Sequence, residues 1–300
     1  MTMPTPLDGR IALVTGGGRG IGRAHSLLLA ARGARVLVCD AGVALDGTDG
    51  DALVAQQVVD EIIAAGGTAV ASSTDISNFA GGSAVVRAAL DAFGGLDIVV
   101  NNAGLAGAAP GDDAEAALWK SLAVNFVGSV GVTQAAWPAL VASRRGRVIN
   151  TVSEASWPNV SSANLELGRS DPTLAGAEPP FVGYGSAKAA VWSATLSLAG
   201  AGAPHGITVN AISPAAFTRM NADLFRQRPP PSGLDLDPLH VARVAAWLAS
   251  DDAADVTGKV IHVAGGQYRE YLISRTRDTA LVARLVQVIE ASRPEEAPSE

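Results

Sequence analysis

Tyr184 and Lys188 stand four positions apart in the run Tyr-Gly-Ser-Ala-Lys, and on a helix that spacing sets both side chains on one face. A phenol beside an ammonium is an acid–base device, because the positive charge favours phenolate and draws the tyrosine pKa down from its usual value of about 10. The same spacing also arises by chance on helix surfaces, so the pair gains meaning only from its company. Ser153 is delivered at the end of an apolar, β-branched strand, Gly146 to Val152. Asn125 lies inside a helical stretch from about Asp113 to Leu140. Asparagine is a poor helix-interior residue, and its presence there predicts a local side-chain-to-backbone bond or a bound water.

The elements that must position these groups begin near the N-terminus. The run RIALVT leads into Gly16-Gly17-Gly18-Arg19-Gly20-Ile21-Gly22, and a helical pattern through Leu27, Leu28 and Leu29 continues to a stop at Gly33. Strand, glycine turn and helix together form a phosphate cradle: bare backbone approaches a pyrophosphate and the helix N-terminus faces the anion. A tight connection with no ligand would use the same glycines. The next strand, Arg35 to Cys39, ends at Asp40, where a carboxylate can accept hydrogen bonds from an adenosine ribose and repel a 2′-phosphate, favouring NAD over NADP. Arg19 pulls the other way, since a guanidinium in the turn could pair with that phosphate, but the carboxylate is expected nearer the ribose hydroxyls. The plain alternative for Asp40 is a helix or turn cap. Asp75-Ile76 is placed at the end of a third strand, where the carboxylate could bond an adenine amine. A fourth strand ends in Asn101-Asn102-Ala103-Gly104, a small-residue turn at the sheet's carboxyl edge.

Strands and helices alternate throughout: helix Ala52 to Ala65, strand Thr68 to Ser72, helix Ala84 to Phe93, strand Leu96 to Val100, and later strands at 207–212 and 258–263. Such alternation predicts an α/β fold with a doubly wound parallel sheet and right-handed crossovers, in a single domain over residues 1–270. Two segments lack periodicity. Residues 155–182 carry Trp157-Pro158 and Pro179-Pro180, and 219–237 carry Pro229-Pro230-Pro231, so both read as insertions over the sheet edge. The acidic connection over 41–52 reads as a solvated loop. Residues 271–300 read as a C-terminal helical extension and a disordered tail. The helix bearing Tyr184 is apolar nearly all round, which suggests burial against another subunit.

Composition narrows the function class. A net charge of −7 without a Lys/Arg cluster argues against nucleic acid or membrane surfaces and for small-molecule partners. The four histidines are scattered without metal-ligand spacing, so no metal is expected. Cys39 is the only cysteine, there is no apolar run of membrane-spanning length, and no leader pattern opens the chain. A reducing, cytoplasmic setting is the expectation.

Taken in order, Thr15 to Gly22, Asn101 to Gly104, Asn125, Ser153, Tyr184 and Lys188 resemble the short-chain dehydrogenase/reductase family over roughly residues 8–266. The resemblance implies a Rossmann-like sheet of seven parallel strands in the order 3-2-1-4-5-6-7, a nicotinamide cofactor across its carboxyl edge, and a homotetramer or homodimer. By position it makes Tyr184 the catalytic acid/base and Ser153 the group that polarises the substrate oxygen. Lys188 becomes the holder of the nicotinamide ribose and Asn125 the holder of a relay water. Gly16, Gly20 and Gly22 form the turn at the pyrophosphate, Gly18, Arg19 and Ile21 are further cofactor contacts, and Asp40, Asp75, Ile76, Asn102, Ala103 and Gly104 fall to the adenosine half. Pro214, Phe217 and Thr218, with Tyr184 and Lys188, fall to the nicotinamide half. The activity implied is reversible hydride transfer between a secondary alcohol and a ketone, with NAD favoured over NADP. An epimerase or lyase with bound NAD, or a cofactor-sensing binding protein, are the alternatives on the same fold. Two features depart from the family pattern: Ala215 stands where glycine is common, and Tyr184 follows Ser153 by 31 positions instead of a dozen or so. The loop after Asp40 and the Pro-Ala-Ala-Phe-Thr-Arg-Met run are also similar to hydroxyacyl-CoA dehydrogenase domains of multifunctional β-oxidation enzymes.

Overall fold

A computed structural model describes residues 6–44, 47–105, 113–156, 181–227 and 234–272. The strands are β1 Ile11–Thr15, β2 Arg35–Cys39, β3 Thr68–Ser72, β4 Ile98–Asn101, β5 Arg147–Thr151, β6 Thr208–Ala215, β7 Val260–Ala264 and β8 Gln267–Glu270. The helices are α1 Gly20–Ala31, α2 Leu53–Ala64, α3 Phe79–Phe93, α4 Ala114–Leu122, α5 Gly128–Ser143, α6 Phe181–Gly202, α7 Ala222–Gln227 and α8 Leu239–Ala249.

The sheet runs β3-β2-β1-β4-β5-β6-β7-β8, parallel except for the antiparallel β7–β8 pair. It is the Rossmann-like single-domain arrangement expected, with one correction: an eighth strand is added at the edge. The signal for that strand is a glycine pair, Gly265-Gly266, both at positive φ, which reverses the chain directly after β7. All four β8 residues are exposed, so no alternating apolar pattern marked it.

Both faces of the sheet are covered, which is why its strands are nearly continuous apolar runs. Ala12 and Val14 of β1, Val36 and Val38 of β2, and Ile98 and Val100 of β4 belong to one core, with α1, α2 and α8. The intervening Leu13, Leu37 and Val99 belong to the other core, with α3, α5 and part of α6. Strand order reverses between β1 and β4, and a crevice opens there at the carboxyl ends of the strands.

The long helix foreseen from Asp113 to Leu140 is instead α4, a π-helical turn over Ala123–Val127, and α5. The flap foreseen as irregular over 219–237 contains the short α7. The helix foreseen over 275–291 and most of the 155–182 insertion lie outside the described residues. No helix among the described residues is long and apolar enough to cross a membrane.

His25 is buried on α1, which packs against α8, and burial holds its pKa at about 4 against an ordinary 6.5. Between those values the unfolded chain binds a proton that the folded chain refuses, so stability falls as pH drops through that window. His25→Leu is expected to reduce the loss of unfolding free energy between about pH 6.5 and 4.5 by about 2 kcal/mol. Urea titrations of both proteins at the two pH values check this, and equal losses would refute it.

Candidate active site

The glycine turn and the turn after β4 are fastened by one hydroxyl. Thr15, the last residue of β1, receives the N–H groups of Asn102 and Ala103 on its Oγ1 at 3.1 and 3.2 Å. Asn102 returns the contact, its Nδ2 donating to the carbonyls of Thr15 and Gly16 at 3.2 and 3.1 Å. The approach leaves no room for a side chain, since a Cβ on Gly16 would lie 2.7 Å from the Cα of Ala103. These turns form one wall of a cleft of about 900 Å³.

Most of the residues expected at a dinucleotide do line that cleft: Gly16, Arg19, Gly20, Ile21, Asp40, Asp75, Ile76, Asn102, Ala103, Gly104, Pro214 and Thr218, with Ser153, Tyr184 and Lys188. Gly18 does not face it; its N–H donates to Asp40 Oδ2 at 2.9 Å. Phe217 does not line it either, being exposed and stacked on Phe225 with ring centroids 6.2 Å apart. β3 stops at Ser72, so Asp75 and Ile76 lie on the loop beyond it, where the Asp75 carboxylate accepts from the N–H and hydroxyl of Ser77 at 2.9 Å each.

The acid–base groups gather at the other end of the cleft. Ser153 neighbours the phenol of Tyr184 and acts to lower its pKa, and the Lys188 ammonium lies 5.8 Å from the centroid of the Tyr184 ring. Lys188 is 3% exposed, its Nζ donates to the Thr151 carbonyl at 2.8 Å, and burial lowers its pKa to about 8. The expected downward pull on Tyr184 is outweighed: burial pushes the phenol pKa up, and Ser153 only partly opposes it. Desolvation disfavours the phenolate, and an ammonium that burial has itself made less basic is a weaker counterweight.

Asn125 does not face the cleft directly. It is fully buried in the π-helical turn, and its Nδ2 donates to Leu105 O, Ser121 O and Ser121 Oγ at 3.0–3.2 Å, which is the side-chain-to-backbone bonding its sequence position implied. Its Oδ1 has no hydrogen-bond partner among the described residues. A Cβ on Gly104 would lie 2.5 Å from that oxygen and 3.4 Å from Lys188 Nζ, so the orphaned acceptor and the amine flank one spot.

A buried polar chain joins these elements and had no sequence signal. Ser129 Oγ donates to Asn125 O, Thr133 Oγ1 to Ser129 O, and Asn101 Nδ2 to both Thr133 Oγ1 and Asn150 Oδ1, each at 2.8 Å. Asn150 Nδ2 then donates to Thr195 Oγ1 at 2.9 Å, which ties β5 to the helix carrying Tyr184. Arg219, Val43 and Lys120 also line the cleft and were missed. Of these only Arg219 had a cue, its place in the Thr-Arg-Met run.

A dinucleotide fits the residues present. Helix α1 starts without a side-chain cap and without an acidic residue in its first turn, so its free N–H groups point to a cleft wall made of backbone and small side chains.

The chain matches the family model for short chain dehydrogenase over residues 10–164 and a model described as enoyl-(acyl carrier protein) reductase over 174–267. Hydroxyacyl-CoA dehydrogenase ChsB1 of Mycobacterium tuberculosis is 38% identical over 283 residues, covering 89% of this chain and 80% of that one. Peroxisomal multifunctional enzyme type 2 of Mus musculus is 33% identical over 89% of this chain, which spans 33% of that longer protein. A short chain dehydrogenase from Mycobacterium avium superposes with a TM-score of 0.72 at 34% identity, covering 96% of this chain and 97% of its own. This chain belongs to the short-chain dehydrogenase/reductase family. It is thus a dehydrogenase or reductase, and membership implies a nicotinamide cofactor, NAD or NADP.

Gly104→Ala is expected to cost about 1–3 kcal/mol, because the added Cβ presses on Asn125 Oδ1 and the pinned amide resists moving aside. Gly200→Ala on α6 meets nothing within 4 Å and should be neutral or stabilising. Chemical unfolding of the two variants side by side checks the contrast.

Proposed function

We propose that this chain is an NAD-dependent oxidoreductase that interconverts a secondary alcohol and a ketone, with Tyr184, Ser153, Lys188 and Asn125 as its working groups. The observation that carries the reading is the meeting, on one cleft, of an uncapped helix start with the neighbouring Ser153 and Tyr184 beside a buried amine. When bound, the nicotinamide would accept hydride from the carbinol carbon or return it to the carbonyl carbon.

Tyr184 passes the accompanying proton. Burial keeps its phenol protonated at neutral pH, which suits it to donate to a carbonyl oxygen during reduction. Ser153 donates to the same oxygen, a role that removes on the order of 2.7–4 kcal/mol when such donors are deleted. Lys188, with a pKa of about 8, can exchange a proton near working pH and resupply the phenol. The partnerless Asn125 Oδ1 supplies the acceptor for a water that would extend this relay. Gly16, Gly20 and Ile21 would hold the pyrophosphate, Asp75, Ile76 and Asn102 to Gly104 the adenosine half, and Pro214 and Thr218 the nicotinamide half.

NAD is favoured because the Asp40 carboxylate, which follows β2 and lines the cleft, would repel a 2′-phosphate brought to it. Hydroxyacyl thioesters are the first substrate class to test, on the strength of the relative named for that activity. A homotetramer or homodimer is the proposed assembly, for which exposed Trp119 on α4 and Leu196 on α6 offer apolar surface. The lone, buried Cys39 thiol suits a reducing, cytoplasmic setting.

Tyr184→Phe is expected to cut turnover at least about 100-fold while reduced cofactor binds within about twofold of the parent. Initial rates with hydroxyacyl thioesters, hydroxysteroids and small secondary alcohols, each with NAD and NADP, provide the measurement; undiminished turnover in the variant would sink the assignment. In the same assay, kcat/KM for ketone reduction should fall as pH rises through about 8, where Lys188 loses its proton. A profile flat to about pH 10 would remove Lys188 from the relay.

A further inference from the structure

We propose that Arg219 is a cofactor-holding residue that acts with Arg19 as a paired guanidinium clamp on the pyrophosphate of the dinucleotide. The inference rests on the dinucleotide site proposed above and adds to it a residue from the flap after β6, far from the glycine turn in sequence.

Two cations converge on one neutral oxygen. Arg219 Nη2 donates to the Val43 carbonyl at 3.0 Å, and Arg19 Nη1 donates to the same oxygen at 2.9 Å, with Arg19 Nη2 reaching Gly42 O at 3.3 Å. Each guanidinium carries five N–H donors in a planar fork, which a shared backbone carbonyl leaves largely unused. Among the described residues the carboxylate acting on Arg219 is that of Asp40, and its two oxygens already accept the N–H groups of Gly18 and Gly42. Arg19 and Arg219 thus bring two positive charges to the wall that holds the Asp40 carboxylate.

The position of the flap points to which anion is meant. Thr218, directly before Arg219, brings its Cγ2 within 3.4 Å of where a Cβ on Gly20 would stand, so the flap touches the first residue of α1. Gly20 at the start of α1 and Arg219 on the flap both line the cleft. A pyrophosphate offers two charges and oxygens enough for bidentate bonds to both. The contact to Val43 meanwhile bridges the flap and the loop after β2, so Arg219 also restrains the cleft's mouth.

Binding, not turnover, tests this. Reduced NAD is titrated by fluorescence into the full chain, with ADP and adenosine as competing probes and stopped-flow displacement for the release rate. Arg219→Met should weaken reduced NAD and ADP about tenfold or more and speed release similarly, with adenosine unchanged within about twofold. Arg219→Lys should fall between, because it keeps the charge and loses the fork. Added salt should weaken the parent more than Arg219→Met. Arg219 is exposed, so the ligand-free thermal midpoints should agree and show both variants folded. Equal affinities and release rates in parent and variants, or an equal loss with adenosine, overturn the clamp while leaving the dinucleotide site standing. Failure of the parent to bind reduced NAD or NADP overturns both.

Discussion

An ammonium almost wholly removed from water must be supplied with acceptors or surrender its proton, and at Lys188 the fold does some of each. Thr151, the final residue of β5, fixes a carbonyl that receives Nζ, and the proton is held only loosely. The acceptor is part of the sheet, so the amine cannot drift without β5. Asn150, one residue earlier on β5, grips Thr195 on α6 and thereby sets how the helix bearing Tyr184 and Lys188 lies against the strand. The polar chain through Asn101, Thr133 and Ser129 carries the same register across to Asn125. Acid–base geometry here is a by-product of how buried asparagines and threonines find partners.

The cleft itself follows from the reversal of strand order between β1 and β4. Chains leaving those two strands turn to opposite faces, and Thr15 closes the gap they would leave by tying the two turns together. The rims come from the loops after β2 and β6, which meet through Arg19, Arg219 and the Val43 carbonyl. Scaffold and rim thus divide the work: the sheet sets the floor to within a hydrogen bond, and the loops decide what the floor encloses.

Local features were legible. The Tyr-x-x-x-Lys pair needs only helical periodicity, the cradle needs only strand, glycines and helix, and seven strands announced themselves as apolar runs. The eighth did not, because an edge strand exposed on all four residues carries no burial pattern. Asp75 was placed at a strand end and lies on the loop beyond Ser72, because pairing with β2 sets where β3 stops. The break at Asn125 was foreseen as a local bond, but its π-helical form was not, since it answers to Leu105 and Ser121.

The amino-acid order determined which groups exist, which faces they share along one element, and which family the chain belongs to, because those properties depend on neighbours within a few positions. Tertiary structure decided the rest. It turned Phe217 away from the cleft, set the Tyr184 phenol above its ordinary range, and brought Arg219 beside Arg19. Each of these depends on burial and on groups distant in the chain, and desolvation is a property of the packed whole that no local run of residues encodes.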